Sequence, residues 1–384
     1  QAALRGLAAH GWVQRDAAAN LLTIHPLIRE LIWNELKPTA AEYDGFLQMI
    51  RQEDYLSTQE ENSRAMRKLD LAQCVLSLPI LPPSAGVAQA CCITGFHDFK
   101  RGRRLESIRF YDRGLSIYRL LSAENPQCLY RYAAESGTIG FLMSATNEYQ
   151  PRSAELLRQA VAIWKRLEQE QPGKYRVEYA TACDNLGYQL SLSHDVATHR
   201  EAEAVLREAL AIRQQLYQQD PGRFRRDYAW TADNLGKVLT RDSGSFAEAE
   251  ELLRTALQLR EEMNRESGGK NISEVAWTCH NLGQLLAKKP EYAAEAEQCY
   301  RTSIRLRQKL EQLSPGTHAA DTSWVMFWLA ELLSHDPARH AETGELYCAA
   351  LEIQQKVEQE HPGMFVLNID RIRERYESFR NGIQ

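Results

Sequence analysis

The tripeptide Asn-Leu-Gly occurs three times in this 384-residue chain, at 185–187, 234–236 and 281–283, with spacings of 49 and 47 residues. A recurring period restricts a chain to architectures in which one supersecondary unit stacks on its neighbour. Weaker copies continue the register at Thr138-Ile139-Gly140 and Trp328-Leu329-Ala330. A second marker keeps step, since Ala160, Ala209, Ala256, Ser303 and Ala350 are each followed by an apolar residue. A third marks the joints: Pro172-Gly173, Pro221-Gly222, Gly268-Gly269, Pro315-Gly316 and Pro362-Gly363 share one phase. Proline and glycine there stop one helix and open the next.

Between joints each unit reads as two helices, A carrying the Asn-Leu-Gly and B the alanine. In B, Ala202, Val205, Leu206, Ala209 and Leu210 follow the stripe of a one-faced helix. A small residue at a fixed place in each helix lets backbones approach closely. The expected fold class is therefore all-α, an α-solenoid of five to six helical hairpins. The units fall near 84–126, 127–173, 174–222, 223–269, 270–316 and 317–363, with a polar-faced capping helix at 364–384.

The glycine of helix A, the aromatics Phe246 and Tyr292 at the turn and the alanine of helix B resemble the tetratricopeptide repeat, with His199 and His340 in the aromatic slot of two units. The period is the departure, 47 residues against the usual ~34. The wording Asn-Leu-Gly, Ala-Glu-Ala-Glu and Ala-Leu-x-Leu/Ile-Arg is similar to the kinesin-light-chain-like class. Residues 1–37 do not fit the period. Gly11-Trp12-Val13 reads as a turn, Gln14–Asn20 as a polar bend, and Leu21–Leu31 as an apolar strand, a His-Pro and an amphipathic helix. That run resembles the end of the winged-helix domain of STAND-type (NB-ARC-like) signalling ATPases, the other reading being a short helical cap. Residues 38–83 are expected to be a helical spacer. The chain opens on Gln1 in helical pattern and is expected to be a piece of a bacterial, cytoplasmic protein.

Charge and motif content narrow the function. The formal net charge of −5 offers no global attraction for nucleic acid, so nucleic-acid binding is not expected. The basic run Lys100-Arg101-Gly102-Arg103-Arg104 is expected to be a solvated turn opening a helix over 105–121. The eight cysteines lack zinc-site spacing and suit a reducing compartment. No run approaches the ~18 apolar residues of a membrane span. Ser267-Gly268-Gly269-Lys270-Asn271 lacks the pattern of a phosphate-binding loop. His194-Asp195-x-x-x-His199 and His335-Asp336-x-x-x-His340 read as caps and slot residues rather than metal ligands. Cys183 and Cys279 mark a packing position. Neither catalysis, cofactor nor metal is expected of the chain itself.

A recognition surface is expected on the concave face. Trp230, Trp277 and Trp324 are 47 residues apart on helix A. Asp184, Asp233 and His280 follow, then Asn185, Asn234 and Asn281, then Tyr188, Lys237 and Gln284, with Glu331 in the same register. In peptide-binding arrays that these residues resemble, the Asn grips peptide backbone; an amide both donates and accepts, and rigid aromatics supply contact area. The competing reading packs the tryptophans between successive helices A and bonds the Asn to a neighbouring helix. The resemblance implies a ligand-sensing repeat domain that binds a protein or peptide trigger and controls self-association through an ATPase module outside this sequence. The alternative is a TPR adaptor with no nucleotide switch.

Overall fold

The computed structural model describes residues 13–16, 21–24, 83–144, 149–193, 195–360 and 366–383. The chain divides into two compact units, 1–132 and 133–384. In the first, β1 (Val13–Asp16) pairs antiparallel with β2 (Leu21–Ile24), Val13 opposite Ile24 and Asp16 opposite Leu21. The polar bend expected at Gln14–Asn20 is thus shorter, because Gln14, Arg15 and Asp16 join the ladder. The remainder of 1–37, and the spacer 38–83 up to its last residue, lie outside the described residues.

Helices α1 (Ala85–Lys100) and α2 (Arg104–Leu121) form a hairpin in the first unit. The Ser84 hydroxyl accepts from the Val87 amide at 3.2 Å and starts α1. Lys100–Arg104 is a turn, with Gly102 at φ +77°. The adjacent Cys91 and Cys92 are buried in this hairpin, and a Cβ on Gly114 would meet the Cys92 sulfur at 2.7 Å. The pair is a close-packing device. Burial pushes the Cys91 thiol up to about 12.

Helix α3 (Pro126–Ser144) runs across the division. The second unit continues with α4 (Gln150–Glu170), α5 (Arg176–Ser191), α6 (Val196–Gln219), α7 (Pro221–Leu239), α8 (Phe246–Glu266), α9 (Ile272–Leu286), α10 (Ala293–Leu313), α11 (Ala319–Leu333), α12 (His340–Glu360) and α13 (Val366–Ile383). Each helix packs on the next in the chain from α4 to α13, so the fold is an all-α solenoid of antiparallel hairpins. At the joints Gly173, Gly268, Gly269 and Gly316 take φ between 65° and 93°. Pro221-Gly222 departs from this, because Pro221 is the first residue of α7 and Asp220 caps it through the Arg223 amide.

The small residue of each helix A meets one large residue of its helix B. A Cβ placed on Gly140, Gly187 or Gly236 would come within 2.8, 2.3 and 2.7 Å of Leu157, Leu206 and Leu253. On Gly283 it would meet Tyr300 at 2.8 Å. These glycines let A and B approach, and the leucines continue into one cluster with Leu186, Leu235, Leu282 and Ala296. Each such buried leucine contributes about 1.5–3 kcal/mol.

Outside this core, helices B are riveted by charge. Arg158 pairs with Glu201 at 2.7 Å, Arg207 with Glu248 at 2.6 Å, Arg254 with Glu295 at 2.6 Å and Arg301 with Glu342. Glu203, Glu250 and Glu297 add bonds one turn before their arginines. The Ala-Glu-Ala-Glu wording is therefore a ladder in which α6, α8, α10 and α12 each hand a carboxylate to the arginine of the preceding helix B.

Candidate functional site

A second, buried ladder lies between helices A and B. Arg213 reaches Asp184 through Nε and Nη2 at 3.3 Å, and the other Asp184 oxygen accepts from Thr231 of the following repeat at 2.7 Å. One repeat on, Arg260 lies 3.4 Å from Asp233, and Asn281 donates to that same carboxylate oxygen at 3.0 Å. In the third unit Arg307 turns to Asp321 at 2.7 Å, with His280 in the acidic register. In the fourth, Gln354 bonds Ser323 at 2.7 Å, with Phe327 in that register. Burial raises the Asp184 carboxyl to about 7, against the lowering effect of Arg213. His280 is driven down to about 3 by burial, then by the charges of Arg307 and Lys237.

These positions sort the expected site residues into two groups. Asp184, Asp233, Asn234, His280 and Asn281 are buried. Asp184, Asp233 and Asn281 use their side chains between repeats; of the Asn register this holds for Asn281, while the Asn234 amide nitrogen has no hydrogen-bond partner among the described residues. The half-buried group is Asn185, Tyr188, Trp230, Lys237, Trp277, Gln284 and Trp324.

Among the described residues the three tryptophan rings do not touch one another; cations link them to their surroundings. Arg260 lies 5.8 Å from the Trp230 centroid, Arg307 5.8 Å from Trp277 and Arg371 5.4 Å from Trp324. Tyr188 joins Phe141 at 6.2 Å to Trp230 at 6.0 Å. The Lys237 ammonium sits 5.7 Å from both Tyr188 and Trp277. Phe141, Tyr188, Trp230, Lys237 and Trp277 therefore form one aromatic and cationic row. Burial lowers the Lys237 pKa, while Asp233 opposes the shift. At the far end Trp324 stacks on Phe327 at 5.0 Å and meets Trp328 edge-on at 6.0 Å.

Beside this row lies a cavity of about 420 Å³, walled by the C-terminal ends of α7, α9 and α11. Lys237, Gln284 and Glu331 reach it from one register, and Arg241, Lys288 and His335 from the next turn. Val238, Ala287, Tyr300, Trp328 and Leu332 provide its apolar wall. Trp328 was not among the sequence-derived candidates; the signal was its occupation of the Asn register, where Asn185, Asn234 and Asn281 stand in earlier repeats.

The remaining motifs are structural. Asp195 caps α6 through the Thr198 amide at 2.8 Å, and His199 contacts the Val238 carbonyl at 2.9 Å. Asp336 bonds the Ala338 amide, and His340 packs edge-on to Phe379 at 5.3 Å. His194 lies outside the described residues. Among the described residues there is no group of three or more His, Cys, Asp or Glu able to hold a metal ion, and no helix long and apolar enough to cross a membrane. Cys183 and Cys279 are buried, their thiols pushed up to about 12 by desolvation.

Residues 229–264, from α7 into α8, match the tetratricopeptide repeat family. A comparison with curated proteins found no match. Among solved structures the chain is similar to BtubC (BKLC) from P. vanneervenii, at 18% identity over 66% of this chain and 93% of that one, with a TM-score of 0.47. It is also similar to the nuclear import adaptor Nro1 of S. pombe, at 10% identity over 82% of this chain and 100% of that one, with a TM-score of 0.40. The matched segment is a tetratricopeptide repeat set within an all-α solenoid of stacked hairpins, an architecture that offers an extended surface for protein–protein interaction.

Proposed function

We propose that residues 133–384 are the ligand-sensing part of a STAND-type signalling ATPase, binding a protein or peptide trigger along the concave side formed by α5, α7, α9 and α11. Binding there would control self-association through the parent's ATPase module. One observation carries the binding half of this reading: the outer arginines of helices B are neutralised by carboxylates of the next repeat, whereas the aromatic row on helices A is held by Lys237, which has no carboxylate within ion-pair distance among the described residues. Half-buried rigid aromatics beside an unneutralised cation are the composition of an interface centre. The chain holds no phosphate-binding loop, so the nucleotide switch belongs to the parent.

The test compares partners captured from host lysate by the native chain and by a Tyr188→Ala, Lys237→Ala, Gln284→Ala variant shown by circular dichroism to be folded. A partner held by the native chain and released by the folded variant supports the recognition face; an identical set from both sinks it. A phosphate-binding loop encoded upstream of residue 1 supports the ATPase half. A parent gene without one makes the chain a TPR adaptor.

A further inference from the structure

Four features converge on the cavity at the ends of α7, α9 and α11. First, its wall is built where the repeat departs from its own pattern. Tyr300 stands where earlier helices B carry Leu157, Leu206 and Leu253, and Trp328 where earlier helices A carry asparagine. The array stacks without those aromatics in three other units, so packing alone does not require them.

Second, three cations around it lack an acidic partner. Lys237, Lys288 and Arg371 form no ion pair among the described residues, in contrast with the paired ladder of helices B. Cations at helix C-termini can serve simply to offset the helix dipole. Arg241 does so, donating to the Ser193 carbonyl at 2.6 Å and the Ser191 carbonyl at 3.4 Å. Lys288 makes no such bond among the described residues. The single acid of the lining, Glu331, is already engaged by Arg375 at 2.6 Å and by the Tyr347 hydroxyl.

Third, polar groups of the lining are left over. The Tyr300 hydroxyl and the Trp328 indole N–H are buried with no hydrogen-bond partner among the described residues, and Tyr300 is 0% exposed. Fourth, about 420 Å³ lies within the range of roughly 300–1,000 Å³ typical of small-molecule sites.

We infer that this cavity binds a small organic anion in which a flat ring carries a carboxylate or phosphate. The ring lies against Trp328, Ala287 and Leu332, with Tyr300 behind them, and the anionic head is met by Lys288, Arg371 and Lys237. An aromatic acid matches this lining because the walls are planar and apolar while every unpaired charge is positive. The two heads share one chemistry, a compact anion taking charge-assisted bonds. The site shares Lys237 and Gln284 with the proposed recognition face, so Lys288, which lines the cavity and takes no part in the aromatic row, is the residue that separates the two in the test.

The test is calorimetric titration of the full chain with indole-3-carboxylate and with phenyl phosphate, set against indole-3-carboxamide as the uncharged control. At least one acid is expected to bind with 1:1 stoichiometry, and the carboxamide at least tenfold more weakly. Lys288→Ala, at an exposed and unpaired position, is expected to raise Kd at least fivefold with the circular dichroism spectrum unchanged, and Lys288→Arg to restore it. Trp328→Leu is expected to weaken both acids. Equal binding of acid and amide, an unchanged Kd in Lys288→Ala, or no heat from either acid overturns the proposal. Binding of a Glu-Gly repeat peptide where neither small acid binds also overturns it and assigns the cations to a polypeptide groove. Lys288→Ala is carried through the lysate capture as well. Retained partners together with lost acid binding separate this site from the recognition face.

Discussion

The guanidinium of Arg371 lies 5.4 Å from the ring centroid of Trp324, although the two residues belong to the last helix and to the helix A two elements before it. Inside the array the same place over a tryptophan is filled from helix B, by Arg260 over Trp230 and Arg307 over Trp277. The next helix B has Gln354 in that register, and Gln354 turns to Ser323 instead. The capping helix α13 supplies the missing cation from outside the repeat, and also covers Phe327 and Trp328.

Removing that cation is expected to loosen one end of the array alone. Cation–π contacts of this kind are worth about 0.5–2 kcal/mol, and solenoid stability is transmitted mainly between neighbours. Arg371→Ala is therefore expected to cost about 1–2 kcal/mol locally. Hydrogen exchange should show protection in α12 and α13 falling about tenfold, with α8 unchanged. The control is Arg373→Ala, whose bond to Asp370 spans one helical turn at the surface; it is expected to change little. A uniform loss along the whole array would show that α13 does more than cap it.

Two arginines six residues apart on α8 test how burial sets the value of an ion pair. Arg260 is 1% exposed and shares Asp233 with Asn281, while the side chain of Arg254 is 43% exposed in the surface ladder. Arg260→Ala leaves Asp233 buried with Asn281 as its hydrogen-bond donor and Lys237 as the remaining nearby cation, and is expected to cost about 3 kcal/mol. Arg254→Ala is expected to cost about 1 kcal/mol or less, and less again in high salt. Urea midpoints of the two variants at low and high salt provide the comparison. Equal losses would mean that the buried ladder is solvated in solution.

The parts legible in the sequence are those that depend on one position at a time. Gly187, Gly236 and Gly283 announce the close approach of A to B, because only a missing Cβ makes room for Leu206, Leu253 or Tyr300. The joint glycines announce left-handed backbone. What depends on pairs far apart was harder to read. Arg213, Arg260 and Arg307 recur every 47 residues in plain view, yet the acids that meet them lie 29 and 27 residues earlier for Arg213 and Arg260 and 14 residues later for Arg307. The acidic register was accordingly expected to face a ligand, and the structure places Asp184 and Asp233 inside the ladder. Trp328 breaks the Asn pattern and so stands outside the register that marks candidates, and that break is what marks the cavity. The winged-helix expectation falls mostly outside the described residues, where only the β1–β2 pair is on view.

His280 makes the array sensitive to acid in a direction that can be worked out. It replaces the acid of the two preceding repeats, and burial with the charges of Arg307 and Lys237 holds its pKa at about 3, against about 6.5 when exposed. A group whose pKa is depressed on folding stabilises the folded state fully above its unfolded value. That contribution drains away as pH falls through 6.5 towards the folded value, by up to about 1.4 kcal/mol per pH unit. Asp184 works the other way: its carboxyl is raised to about 7 by burial, so its contribution is full below about 3.8 and is lost as pH rises through 7. The native protein therefore mixes two opposing slopes, and comparison with a variant isolates one of them. His280→Phe copies Phe327, which occupies the same register in the next repeat. Urea unfolding of both proteins at pH 7, 6, 5 and 4 is expected to show the stability of the native chain, relative to the variant, declining with each step below pH 6.5. A relative stability that stays flat across that range would mean that His280 is protonated in the folded array, paired with a carboxylate rather than pressed against cations.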